Sequence, residues 1–295
     1  MQNVKTLGMR DVKRILGERK ENSHKGDFGY VGLVGGSPEY SGAIKLASLS
    51  CCSLRVGVGV SKIIVPRSLM GAVMPFVLES TLYGLPERDG YVKYEESAFN
   101  EAFKGLKAVA FGMGIGQKGD NLLYLEKLLS LPIKLIIDAD GLNTLAKHKE
   151  LLMSKKASVI LTPHIGEFSR LSGLSKEEIL VAPDRVAKDF AKEYGVTLIL
   201  KDATSIITDG ERVFRNTRGT VGMATAGSGD VLSGILVGLS GYLNSTLDIA
   251  CAGAFINGLS GEMALEEGDG NPFSMLSGDT ALMVRKAVTT ILKQE

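Results

Sequence analysis

Apolar residues recur along this chain in two rhythms. Short apolar runs at 30–34, 56–65, 108–111, 135–137, 159–161 and 196–200 read as buried strands. Between them lie longer stretches with apolar positions at helical spacing. Residues 42–55 repeat small and apolar side chains (Ala43, Leu46, Ala47, Leu49, Leu54). Residues 121–129 and 183–194 are also helical, the second opening on Pro183, where the missing N–H costs little. The runs at 205–207 and 213–214 flank Asp209-Gly210, a hairpin signal of the primed-turn kind. Three helical segments, 231–239, 247–265 and 280–292, finish the chain, and a charged lead-in over 1–23 holds one amphipathic piece, Val12, Ile15 and Leu16. Strands alternating with helices predict an α/β fold, a mostly parallel sheet with helices on both faces. The stretch 30–65 reads as a right-handed βαβ unit. No linker, low-complexity segment or repeat divides the sequence, which predicts one domain over 1–295.

Composition narrows the partners. Hydrophobic residues make up 44% and charged residues 23%, and the net charge is +1. Bulk charge therefore points to neither nucleic acid nor a membrane surface, and an anionic ligand needs a local site. No apolar stretch reaches membrane-spanning length, and the opening MQNVKTLGMRDVKRIL lacks an apolar signal core. Cys51, Cys52 and Cys251 form no CxxC pair and read as reduced, buried small residues of a cytoplasmic protein.

The candidate chemistry falls at strand ends, where open α/β sheets bind ligands. Ala226-Gly227-Ser228-Gly229-Asp230 opens an apolar helix. Such a turn leaves backbone N–H groups free for a phosphate. Ser228 or Asp230 suits a plain helix cap as well, but a carboxylate in an anion site repels its ligand unless it takes a proton or holds a metal. Lys201 and Thr204 suit a nucleotide phosphate or ribose. Asn216 suits a turn or a ligand bond. Gly112, Gly114 and Gly116 suit a phosphate cradle or a tight turn. Asp138, Asp140 and Asn143 gather oxygens fit for Mg2+ held partly through water, although Asp140 and Asn143 equally suit a helix cap. Glu167 is a further metal candidate, and His164 beside it a site candidate. His24, Lys25 and Asp27 form either a cationic clamp on a phosphate or a solvated loop.

In order along the chain stand HKGDFGYVGLVGGSPEYSGAIKLA, FGMGIG, DADGLN, LTPHIGEFSRL and GMATAGSGDVLSGIL. Together they resemble the ADP/ATP-dependent NAD(P)H-hydrate dehydratases, the carbohydrate-kinase-like branch of the ribokinase-like fold. The resemblance runs from about His24 into the C-terminal helices. It implies a three-layer ribokinase-like domain without a separate lid domain. It implies a repair lyase that returns hydrated NADH or NADPH to the reduced dinucleotide, with ADP or ATP and Mg2+, by phosphorylating the ring hydroxyl and losing phosphate. On this resemblance Asp230 is the catalytic base and also touches substrate. Ala43, Gly114, Gly116 and His164 hold the hydrated dinucleotide. Lys201, Asp202, Ala203, Thr204, Ser205, Asn216, Gly227, Ser228 and Gly229 hold the nucleotide, and Asp138, Asn143 and Glu167 serve Mg2+. A cytoplasmic homo-oligomer, a tetramer, is implied too. The chain departs from the family pattern at Asp202, Thr220 and Ala226. The competing reading is a kinase of the same fold that phosphorylates a hydroxymethyl group of a sugar or vitamin. A third is a nucleotide-binding module without catalysis.

Overall fold

The structure, a computed structural model, describes residues 4–51 and 53–294, with backbone only at 50, 51, 53 and 54. The elements run β1 (Lys5–Thr6), α1 (Met9–Leu16), β2 (Tyr30–Gly35), α2 (Ser41–Cys51), α3 (Ser53–Val56), β3 (Val60–Pro66), α4 (Met70–Val73), β4 (Thr81–Leu85), β5 (Glu87–Arg88), β6 (Tyr91–Val92) and α5 (Glu96–Phe103). Then come β7 (Ala108–Met113), α6 (Asn121–Leu129), β8 (Lys134–Ile137), α7 (Asp140–Ala146), β9 (Ser158–Leu161), α8 (Ile165–Ser172), α9 (Lys176–Val181) and α10 (Pro183–Tyr194). The chain closes with β10 (Thr197–Leu200), β11 (Ser205–Thr208), β12 (Val213–Asn216), α11 (Ser228–Ser240), α12 (Thr246–Glu267) and α13 (Ser277–Lys293).

Ten strands form one sheet in the order β1-β12-β11-β10-β9-β8-β7-β2-β3-β4. It is parallel from β10 to β4, and β11 pairs antiparallel with both β10 and β12. The two-residue period of the strands explains the layers. Ile136 joins the core under α2, α11, α12 and α13, while its neighbours Leu135 and Ile137 join the core under α5, α6, α8 and α10. Strands buried on both faces read as unbroken apolar runs, which is why they were legible. Helix α12 is buried nearly all round. No described helix is long and apolar enough to cross a membrane.

The structure corrects several expectations. The strand expected over 56–65 begins at Val60, because Val56 closes α3 and Gly57 turns the chain at φ +93°. The helix expected over 42–55 is described as α2 and α3, on either side of residue 52, which lies outside the described residues. The loop between β11 and β12 is no two-residue primed turn: the Asp209 carboxylate accepts the N–H groups of Glu211 and Arg212 and organises a longer loop. Strand β4, the hairpin β5–β6 and helices α5, α8 and α9 were not anticipated, whereas the helix start expected at Asp140 is α7. Cys251 is buried, and burial pushes its thiol up to about 12, so it is inert at neutral pH. Cys52 and the side chain of Cys51 lie outside the described residues.

The parallel strands bring Gly35, Met113, Ile137, Leu161 and Leu200 to one edge of the sheet. The turn at His24 to Gly29 stands at the opposite edge, before β2, about 20 Å away along that strand.

Candidate active site

Asp138 follows β8 at this edge and is only 2% exposed. Its Oδ1 accepts the Thr162 hydroxyl at 2.7 Å and the Lys201 ammonium at 3.0 Å. Its Oδ2 accepts the Ser233 hydroxyl at 2.9 Å. One carboxylate thus joins the ends of β8, β9 and β10 to α11. Lys201 Nζ also lies 3.9 Å from Glu167 Oε2. Burial opposes the Lys201 charge, but the Asp138 and Glu167 carboxylates, and Asp230 beyond them, hold its pKa above the usual lysine value. A buried charge kept this way is costly to orphan: removing a partner costs about 3–5 kcal/mol.

The first turn of α11 rests on this ion pair. A Cβ on Gly229 would lie 3.3 Å from both Asp138 Oδ2 and Lys201 Nζ. Gly227 enters the helix at φ +93°, and a Cβ there would meet Leu46 at 2.4 Å, so only glycine lets α11 start so close to α2. The amides of Gly229 and Asp230 have no acceptor among the described residues. They add free donors to the positive end of the helix dipole. Asp230 is half-buried and its carboxylate accepts no hydrogen bond. Burial, then repulsion from Asp138, push it up to about 7, against the pull of Lys201. A carboxylate poised near neutrality is suited to take a proton.

Beside Lys201 and α11 opens a cavity of about 860 Å³, lined by Lys201, Ser205, Thr225, Ser228, Gly229 and Asn257 among others. Asn257 is 8% exposed, and its Oδ1 is buried without a partner. An orphaned buried acceptor costs about 1–3 kcal/mol, and a ligand donor would relieve it. Sequence reasoning missed Asn257, Thr162 and Ser233. Asn257 sits inside an apolar helix with no local motif to mark it, and Thr162 and Ser233 stand within LTPHIGEFSRL and GMATAGSGDVLSGIL without any local sign of a shared partner.

His164 caps α8. Its Nδ1 accepts the N–H of Gly166 at 2.9 Å and of Glu167 at 3.3 Å, while Glu167 Oε2 accepts the His164 N–H at 2.9 Å. The ring is therefore neutral with its proton on Nε2. Burial lowers its pKa, helped by Lys201 and Arg170 against Glu167. The rest of the ring borders the cavity. Two expected nucleotide residues are otherwise occupied. Asn216 donates its amide to Ala254 O at 3.1 Å and Arg218 O at 3.3 Å, so it braces the chain before α11. Asp202 turns its carboxylate onto the Ala203 N–H, Asp202 and Ala203 are exposed at the cavity rim, and Thr204 is exposed outside its lining.

Ala43, Gly114 and Gly116 come together beyond β2 and β7. A Cβ on Gly114 would stand 2.9 Å from the Ala43 methyl, so α2 packs flat on this turn. Gly116 donates to Asp140 Oδ2 at 2.9 Å. The hairpin β5–β6 reaches over this end: Tyr91 meets Gly116 and hydrogen-bonds Glu39, which also pairs with Lys118. Asp138 thus stands at the sheet edge that carries both this glycine turn and the Lys201 cavity.

The oxygens expected to hold Mg2+ do not converge. Asp138 already accepts three donors, one of them the Lys201 cation that stands where a metal ion would. Asn143 Oδ1 accepts both Nε and Nη2 of Arg170, at 3.1 and 3.0 Å. Glu167 is committed to the His164 N–H. No group of three His, Cys, Asp or Glu side chains suits a metal among the described residues. These residues do not fit a directly ligated Mg2+. His24, Lys25 and Asp27, a possible phosphate clamp by sequence, stand at the far edge of the sheet and not here.

Comparison with known proteins adds an independent view. A profile of the NAD(P)H-hydrate dehydratase family matches residues 31–277. The bifunctional NAD(P)H-hydrate repair enzyme Nnr of Moorella thermoacetica is 34% identical over 269 residues, 90% of this chain and 50% of that one. The ADP-dependent (S)-NAD(P)H-hydrate dehydratase of Cenarchaeum symbiosum is 32% identical over 267 residues, 89% of this chain and 90% of that one. The chain thus spans about half the length of the bifunctional relatives it matches, and nearly all of the dehydratase. The crystal structure of the ADP/ATP-dependent NAD(P)H-hydrate dehydratase of Bacillus subtilis, co-crystallized with ATP/Mg2+, shares the fold at TM-score 0.83 and 24% identity, over 99% of this chain and 100% of that one.

Proposed function

The chain belongs to the NAD(P)H-hydrate dehydratase family, and from that premise we propose that it dehydrates hydrated NADH or NADPH at the expense of ADP or ATP. The observation that carries this reading is Asp230: a carboxylate held near neutrality, at the free helix amides of Gly229 and Asp230 and close to the half-buried Lys201.

The placement of Asp230, Lys201 and the free amides supports the following course. The nucleotide occupies the Lys201 cavity with its terminal phosphate at the first turn of α11. The dihydropyridine ring lies toward Ala43, Gly114, Gly116 and His164. Asp230 takes the proton of the ring hydroxyl, whose oxygen bonds to the terminal phosphorus as the bridging P–O bond breaks. The amides of Gly229 and Asp230, with Lys201, neutralise charge on the transferring group. Electrons from the ring nitrogen then expel phosphate with the C–O bonding pair, and the adjacent ring carbon gives up a proton. Hydroxide leaves poorly and phosphate well, which is why a nucleotide is spent. Mg2+ would enter on the nucleotide phosphates with its water shell, as it commonly does, and no step here runs through it.

The test is recovery of reduced-nicotinamide absorbance from hydrated NADH with ADP, with ATP, and with neither. Nucleotide-dependent recovery, lost in Asp230→Asn, is the expected result. Folded protein that binds ADP yet restores no absorbance would overturn the reading.

A further inference from the structure

We propose a second ligand site in this chain, for a small phosphate-bearing molecule of the nucleotide class, at the sheet edge away from Asp230. A cavity of about 1010 Å³ opens between α1, the loop after it, the end of α3 and the last turns of α13. Its charged lining is one-sided: Arg10, Lys13, Arg14, Arg19 and Arg55 face Glu18 alone, in a chain of net charge +1. Arg14 is paired with Asp11 at 3.2 Å. The other four cations have no carboxylate partner among the described residues. Lys13, Arg19 and Arg55 rest on the backbone carbonyls of Gln294, Gly57 and Ala281, which leave the charge in place. The Arg55 Nε is buried and has no acceptor among the described residues. An excess of like charges over counter-charges favours an arriving anion, and guanidinium forks match phosphate oxygens in pairs.

The site is also preorganised. The Arg19 guanidinium lies 3.6 Å over the Phe28 ring, Phe28 meets Tyr242 edge-on at 6.1 Å, and Tyr242 donates to Val56 O at 2.9 Å. The HKGDFG turn supplies Phe28 and is clamped in place. A Cβ on Gly29 would lie 2.2 Å from Gly241 O, and one on Gly59 1.8 Å from Lys25 O. Through Phe28 this turn thus braces Arg19 and Tyr242 of the cavity wall from behind, a role the reaction at Asp230 leaves unexplained. Leu16, Tyr242, Val288 and Leu292 make the remaining wall apolar, which suits a planar or apolar body joined to the phosphate better than a bare ion. Helix α11, 13 residues and about 20 Å long, separates Tyr242 from Asp230, so this is a different site from the catalytic cavity.

Titration calorimetry of the full chain with pyrophosphate at low ionic strength tests the assignment, independently of the dehydratase reading. Two classes of site are expected. The double variant Arg10→Glu/Lys13→Glu should weaken one class at least tenfold, with the ADP-dependent recovery of reduced nicotinamide and the thermal melt unchanged. If that variant melts early, Arg19→Ala, at an exposed position, takes its place with the same expectation. AMP should bind this site more tightly than inorganic phosphate does. Variant isotherms that overlay those of the parent chain overturn the site, and AMP no tighter than inorganic phosphate overturns its nucleotide preference.

Discussion

Ser233 donates its hydroxyl to Asp138 one turn beyond Asp230 on α11, so the carboxylate that repels Asp230 also fixes the helix that carries it. Asp138 is therefore a positioning residue: it sets where Asp230 stands and how readily Asp230 takes a proton.

For Asp230→Asn we expect turnover to fall by about 10²–10⁴, with ADP affinity kept. Stability should move the other way, and with pH. The folded carboxyl titrates at about 7, above its ordinary value, so the native state binds more protons than the unfolded state between those pH values. Native stability therefore falls as pH rises through that window. The asparagine variant escapes this loss, so it should melt several degrees above the parent chain at pH 8, by roughly 1–3 kcal/mol, and show a smaller gain at pH 5. Equal gains at both pH values would remove burial of the charge as the cause.

The pH–rate profile should lose activity on the acid side near the Asp230 titration. In Asp138→Asn the repelling charge is gone and Lys201 is freed to favour the Asp230 anion. Both effects lower the acid limb, by roughly one pH unit. Loss of the buried partner of Lys201 should also cost about 3–5 kcal/mol. Ser233→Ala, which keeps both charges, serves where Asp138→Asn fails to fold, and should lower kcat without moving the limb. An unmoved limb in a folded Asp138→Asn would sink the electrostatic role.

Asn257 separates ligand recognition from structure. Its unpartnered Oδ1 contributes nothing to the empty fold. We expect Asn257→Leu to keep or raise the melting temperature while weakening ADP binding by about tenfold, the worth of one hydrogen bond in a buried site. Calorimetry showing unchanged ADP affinity would place the nucleotide elsewhere in the cavity.

His164 carries two roles that two variants can part. His164→Ala removes the cap of α8 and should cost about 1 kcal/mol and weaken binding of the hydrated dinucleotide. His164→Asn restores a capping oxygen, so it should recover the melting temperature without recovering dinucleotide affinity. Recovery of both would leave His164 a cap alone.

Much of this molecule is written in local pattern. Runs such as Leu135 to Ile137, buried on both faces, and the glycines before α11 announce themselves within a few residues, because strand burial and helix starts are local physics. The motifs in order named the family from the same local signals. Partnership across the sheet is not local. Asp138 looked like a metal ligand until Thr162, Lys201 and Ser233, from three other elements, were seen to use its oxygens. Asn216 looked free for a ligand until α12 supplied Ala254 O. Hairpin β5–β6 carries too few apolar residues to signal itself, and the HKGDFG turn gave no hint that β2 would carry it to the far edge. The sequence determined which residues have chemistry to offer. Only the tertiary structure decided which of them spend it on each other, because hydrogen bonds and charges pair by distance in space and not along the chain.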